Sequence, residues 1–97
     1  MPTYVVLMNW TEQGAKSAAE TVDRYEAAKG ELAERGVTIK DIYWTTGACD
    51  IVTIAEAADD ETASAGLLRL ASQGNLRTTT MRAFSADEMR SVVQKSR

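Results

Sequence analysis

The chain has 97 residues, 11 Lys and Arg, 14 Asp and Glu, one Cys and no His, a length that fits one domain, residues 1–97, and leaves no room for separate catalytic and cofactor domains. Without His, no Ser-His-Asp or Cys-His nucleophile and no His-held zinc or haem can be built within the chain, and one Cys makes neither an internal disulfide nor a Cys₄ metal site. The net charge of −3 argues against nucleic acid, whose phosphates need clustered Lys and Arg.

The start, Met1-Pro2-Thr3-Tyr4, has neither the basic residues nor the apolar run of a signal peptide. With the lone Cys this leads us to expect a cytoplasmic protein. No run of 18 apolar residues occurs, so no membrane-spanning helix is expected. Thr3 to Trp10, TYVVLMNW, is β-branched, aromatic and apolar, and predicts a strand. Both of its parities, Tyr4-Val6-Met8-Trp10 and Thr3-Val5-Leu7-Asn9, are largely apolar, which predicts a strand covered on both sides. Thr11 is a candidate helix cap.

From Ala15 to Arg35, apolar positions at Ala18, Val22, Tyr25 and Leu32 predict one amphipathic helix with a thin, alanine-rich stripe, stopped by Gly36. Val37 to Thr46 predicts a second strand. Val37 and Ile39 differ in parity from Ile42 and Trp44, and a bulge near Lys40-Asp41 would bring all four to one face. Gly47-Ala48 is the turn, and Cys49 to Ala57 is a third strand, antiparallel to the second. Asp59-Asp60-Glu61 opens a helix running to about Ser72, ended by Gln73-Gly74-Asn75. Leu76 to Phe84 is a fourth strand. Ser85-Ala86-Asp87-Glu88 is a capping box that starts a short C-terminal helix bearing Met89, Val92 and Val93.

The predicted class is α+β, in the order β-α-β-β-α-β-α, whose first six elements form the ferredoxin-like arrangement with a four-stranded antiparallel sheet. Two helices cover one face of such a sheet. The other face would expose apolar residues, and a second copy is the simplest cover. We therefore expect a homodimer packed sheet to sheet, an α+β barrel.

The strings YVVLMNWTEQG, DIYWTTGACD, QGNLRTTTMRAF and SADEM together resemble the GYD domain family. The resemblance implies a bacterial, ferredoxin-like, dimeric α+β barrel protein and points to no particular activity. The family's Gly, Tyr, Asp signature lies at the hairpin. Gly47 and Asp50 match it, and Cys49 stands where the aromatic is usual.

Candidate ligand residues are Asn9, Trp10, Tyr43, Trp44, Asp50 and Arg82. Asp50 is either a general base or polar anchor, or a turn residue that accepts backbone N–H groups, the reading preferred for an Asp beside a turn. The three aromatics suit the wall of a pocket for a planar organic ligand, and equally a core or subunit interface. Arg82, expected on the barrel face of the sheet beside Thr78 and Thr80, could hold a carboxylate or phosphate, or pair with Asp50 or Glu56. Asn9 is a candidate buried amide with the same two readings. Cys49 has an anionic neighbour in Asp50 and no base, so it reads as a small apolar residue. The acids at 59–61 read as helix capping, and no metal or other cofactor is expected.

The expected function is a homo-oligomeric module that binds a small organic molecule between sheet and helices. Two alternatives stand beside it. One is a cofactor-independent isomerase or tautomerase, using Pro2 as an N-terminal base if Met1 is removed. The other is a purely structural assembly module.

Overall fold

A computed structural model describes residues 1–97. Strands β1 (Thr3–Trp10), β2 (Val37–Trp44), β3 (Ile51–Ala57) and β4 (Leu76–Ala83) form one antiparallel sheet in the order β2-β3-β1-β4. That is the predicted ferredoxin-like order. The helices are α1 (Glu12–Lys16), α2 (Thr21–Glu34), α3 (Asp60–Ala71) and α4 (Ala86–Lys95).

Register assigns the faces, because directly paired residues point the same way. Tyr4, Val6, Met8 and Trp10 share the helix-covered face with Ala55, Thr53 and Ile51 of β3 and with Arg82, Thr80, Thr78 and Leu76 of β4. Leu32 of α2 and Ala63 of α3 close this core with Val37 and Ile39. Burying a side chain of this size contributes about 1.5–3 kcal/mol. The pairing of β2 with β3 shifts between Ile39 and Asp41. This is the predicted bulge, and it keeps Ile42 and Trp44 on the side of Val37 and Ile39. Helix α3 lies close to the sheet because Gly66 has no side chain, and a Cβ there would sit 2.9 Å from the Val37 side chain.

The single helix expected from Ala15 to Arg35 is broken in two. Thr11 caps α1, accepting the Gly14 N–H at 3.1 Å. A 3₁₀ turn follows at Ala18–Glu20 before α2 begins. The Arg24 guanidinium makes the break tolerable. It donates to the Ser17 carbonyl at 2.6 Å, to Ser17 Oγ at 2.8 Å and to the Gly14 carbonyl at 3.4 Å. Those acceptors need no helical partner once Arg24 fills them. Apolar spacing alone does not reveal such a break.

The hairpin strands are shorter than predicted. β2 ends at Trp44 and β3 begins at Ile51, and Cys49 and Asp50 belong to the connection. The predicted capping box on α4 is present in both directions, Ser85 N–H to Glu88 Oε1 at 2.8 Å and Glu88 N–H to Ser85 Oγ at 3.2 Å.

Candidate functional site

The candidate residues fall in three places. The first is the end of the sheet where β1 finishes. Trp10 is half-buried there, and its backbone N–H donates to Asp50 Oδ2 at 3.0 Å. Asp50 thus ties the hairpin connection to β1, and its own N–H donates to the Met8 carbonyl at 2.9 Å. The carboxylate accepts a backbone N–H, as the turn reading requires, but from a neighbouring strand. Trp44 stands edge-on to Tyr25, with centroids 5.8 Å apart, and its Nε1 donates to Thr21 Oγ1 at 3.0 Å. These contacts hold α2 against the end of β2.

A cavity of about 50 Å³ opens here between sheet and helices, lined by Trp10, Arg24, Tyr25, Ile42, Gln73 and Asn75 among others. Trp10 Nε1 is buried without a hydrogen-bond partner. Pockets for organic ligands run to about 300–1,000 Å³, whereas each water needs about 10–15 Å³ of such space. The cavity therefore has the size of a small water cluster.

The second place is the outer face of the sheet. Asn9 pairs with Arg77 and Tyr43 pairs with Val52 on this side. Tyr43 is 61% exposed. Val5, Leu7, Val52, Ile54 and Met81 make the apolar centre of the same face. At its rim Lys40 and Glu56 approach to 3.6 Å. No element of the chain covers this face, and Val5, Leu7, Val52 and Ile54 remain partly exposed.

The third place is the opposite end of the sheet. Arg82 pairs with Tyr4, six positions along β1 from Trp10, or about 20 Å at strand spacing. It lies on the helix side, not on the outer face. Its guanidinium sits 4.6 Å from the Phe84 ring centroid and 5.8 Å from that of Tyr4, and it donates to the carbonyls of Thr3 and Ala83. Arg82 meets neither Asp50 nor Glu56. Beside it the Tyr4 hydroxyl donates to Asp60 Oδ1, and that hydrogen bond, with desolvation, raises the phenol above its ordinary pKa. The six candidates therefore do not converge on one pocket.

Pro2 extends the sheet, its carbonyl accepting the Ala57 N–H at 3.2 Å. With Met1 attached, the Pro2 nitrogen is an amide and has no basicity. Cys49 is half-buried, with its carbonyl accepting from Thr45 Oγ1 at 2.6 Å. Asp59 caps α3 by accepting the Thr62 N–H at 2.8 Å, and this bond holds its carboxyl below the usual range.

The contact beside Trp10 between the start of α1 and the loop before β4 escaped the sequence reading. Thr11 N–H donates to the Asn75 carbonyl at 3.0 Å, Thr11 Oγ1 to the Gly74 carbonyl at 2.6 Å, and Gln13 Nε2 to Asn75 Oδ1 at 3.0 Å. A Cβ on Gly14 would lie 2.1 Å from the Asn75 carbonyl oxygen. The two strings that carry much of the family resemblance, YVVLMNWTEQG and QGNLRTTTMRAF, are therefore in direct contact.

A family model described as GYD domain matches residues 4–93. The chain belongs to the GYD domain family. A Thermus thermophilus protein named glutamine synthetase and cystathionine beta-lyase binding protein is 32% identical to this GYD protein over 90 residues, which is 92% of this chain and 95% of the relative. The crystal structure of TTHA0845, also from Thermus thermophilus, superposes with a TM-score of 0.55 at 26% identity, covering 89% of this chain and 96% of that one. The crystal structure of FFRP-DM1 shares the fold at 19% identity, with a TM-score of 0.61 over 87% of this chain and all of that one. In this GYD domain the signature glycine, Gly47, has a φ of 142°, where a side chain would be strained. The signature Asp50 is the residue that binds the Trp10 N–H.

Proposed function

We propose that this GYD protein is a non-catalytic docking module that acts as a homodimer and binds metabolic enzymes. The observation that carries this reading is the uncovered apolar sheet face of Val5, Leu7, Val52, Ile54 and Met81. Isolated apolar side chains on a surface are ordinary, but a contiguous patch on a sheet marks an interaction site.

Area supports a second copy as its cover. The chain exposes 6318 Å², whereas a compact monomer of its 10.6 kDa exposes about 5,500 Å². The excess is close to the roughly 800 Å² that each partner loses in a standard interface. The radius of gyration, 14.5 Å, also exceeds the roughly 12.5 Å of a compact domain of this length.

An enzyme as the further partner is suggested by the name of the Thermus relative. The dispersal of Asp50, Tyr43 and Arg82 over three places favours binding over catalysis, because catalysis needs its groups within hydrogen-bond reach of one reacting atom. Titration of glutamine synthetase and of cystathionine beta-lyase from the same source with the purified dimer tests the reading. Saturable heat with at least one of them is expected, and absence of binding to both rejects the enzyme-docking role.

A second reading keeps the cavity as a site for a small organic molecule, on the ground that Trp10 Nε1 is buried without a partner. It requires α2 to move outward, since about 50 Å³ is too small for such a ligand. In a Trp44→Phe protein, Trp10 is the remaining tryptophan. A saturable change in its fluorescence with an added planar ligand would favour this reading.

A further inference from the structure

Helix α4 is the best-specified helix in the chain and buries nothing. Its start carries the complete capping box, Asp87 and Glu88 occupy the first turn, and Lys95 stands in the last. Its apolar residues Ala86, Met89, Val92 and Val93 follow helical spacing along one side. Yet every residue from Ala86 to Lys95 is exposed, with Met89 at 47%, Val92 at 38% and Val93 at 40%. A ten-residue helix is too short to persist in water on its own, so this face needs a surface.

We infer that α4 is an arm exchanged between two copies, its Met89-Val92-Val93 face packing on the partner copy and not on its own chain. The inference rests on the dimer reading above and assigns a particular element to it. Three observations support it. Only Phe84 and Ser85 connect β4 to α4, and Ser85 leaves in an extended conformation, with ψ 170°. The helix is thereby carried past the end of its own sheet, in a molecule measuring 50 × 31 × 18 Å.

The area required points the same way. The chain exposes about 800 Å² more than a compact monomer of its mass, the share each partner loses in a standard interface, and the Met89, Val92 and Val93 side of α4 is part of what it exposes. Two arms, one from each copy, bury that side symmetrically, as a two-fold pair requires. The arm is also continuous with the proposed interface. β4 is an edge strand whose Met81 and Ala83 share the outer face with Val5 and Thr3. A partner that covers this face meets α4 directly after it.

Sedimentation velocity and amide exchange on the full chain test the arm. A Met89→Glu/Val93→Lys protein removes the apolar face but keeps the helix, because Glu followed four residues later by Lys supports one. The expected result is an unchanged far-ultraviolet spectrum with a dimer dissociation constant raised about 100-fold. In the unsubstituted protein, exchange across Ala86–Lys95 should slow as concentration rises through the dimer range, and the double variant should lose that dependence. Val93→Gln should shift the constant in the same direction by a smaller factor, which keeps the test readable if the double variant misfolds. Unchanged dimer affinity in these variants, with α4 exchange independent of concentration, overturns the arm and leaves sheet pairing intact. A monomeric unsubstituted chain overturns sheet pairing and the arm together.

Discussion

The two faces of the sheet are made by the same strands and meet opposite fates. On the helix side Tyr4, Val6 and Met8 are buried under α2 and α3. On the outer side their neighbours Val5 and Leu7, equally apolar, are only half-covered, and only by one another and by Val52, Ile54 and Met81. A strand with one wet face normally alternates apolar and polar residues. β1 does not alternate, yet the chain supplies helices for one face alone. The contrast teaches that β1 is apolar enough for two covers while the chain provides one, and the proposed second copy is what would provide the other.

Substitution of adjacent residues on β1 is the severest way to break that contrast. Val6→Asp places a carboxylate in the core, where Val6 is 1% exposed. The cost of about 4 kcal/mol or more is a large share of the about 5–15 kcal/mol that holds such a domain. Chemical denaturation should show a protein largely unfolded in dilute denaturant. Leu7→Lys, one residue along and on the other face, should cost the single chain no more than about 1 kcal/mol while abolishing self-association in light scattering. Equal destabilisation by the two would erase the distinction between the faces.

The contrast between the two ends of the sheet predicts smaller effects. Gly14→Ala brings a Cβ against the Asn75 carbonyl oxygen, which is backbone and cannot swing aside. A loss of about 2–3 kcal/mol is expected from such overpacking, read as a lower denaturation midpoint. At the other end α4 depends on its cap. The hydrogen bonds from Ser85 hold the Glu88 carboxyl below its ordinary range, as Thr62 does for Asp59 at the start of α3. Both groups have a folded pKa below the unfolded one. Their contribution is therefore complete above the ordinary carboxylate range and is lost as pH falls below it. Circular dichroism should show a small loss of helix on acidification to about pH 3, and Glu88→Gln should weaken that response.

The fold was legible because its determinants are local. Short β-branched, aromatic and apolar runs gave the strands, the Lys40-Asp41 region gave the bulge, and Ser85 with Glu88 gave the α4 cap. The break between α1 and α2 was hidden because it depends on where Arg24 points. The dispersal of the site was hidden for a related reason. Strand parity places Arg82 on a face but does not say which face the helices take, nor that Trp10 lies at the far end. The contacts of Thr11, Gln13 and Gly14 with Gly74 and Asn75 join residues some sixty positions apart, and no local pattern announces them. The apolar outer face was readable, since apolar residues on both parities of β1 state it directly.

The central claim is that a second copy covers the outer sheet face. Multi-angle light scattering of the unsubstituted chain, from low to high micromolar concentration, tests it most directly. A mass of twice 10.6 kDa that collapses to the single-chain value in Leu7→Lys is the predicted result. A single-chain mass throughout the range for the unsubstituted protein would contradict it.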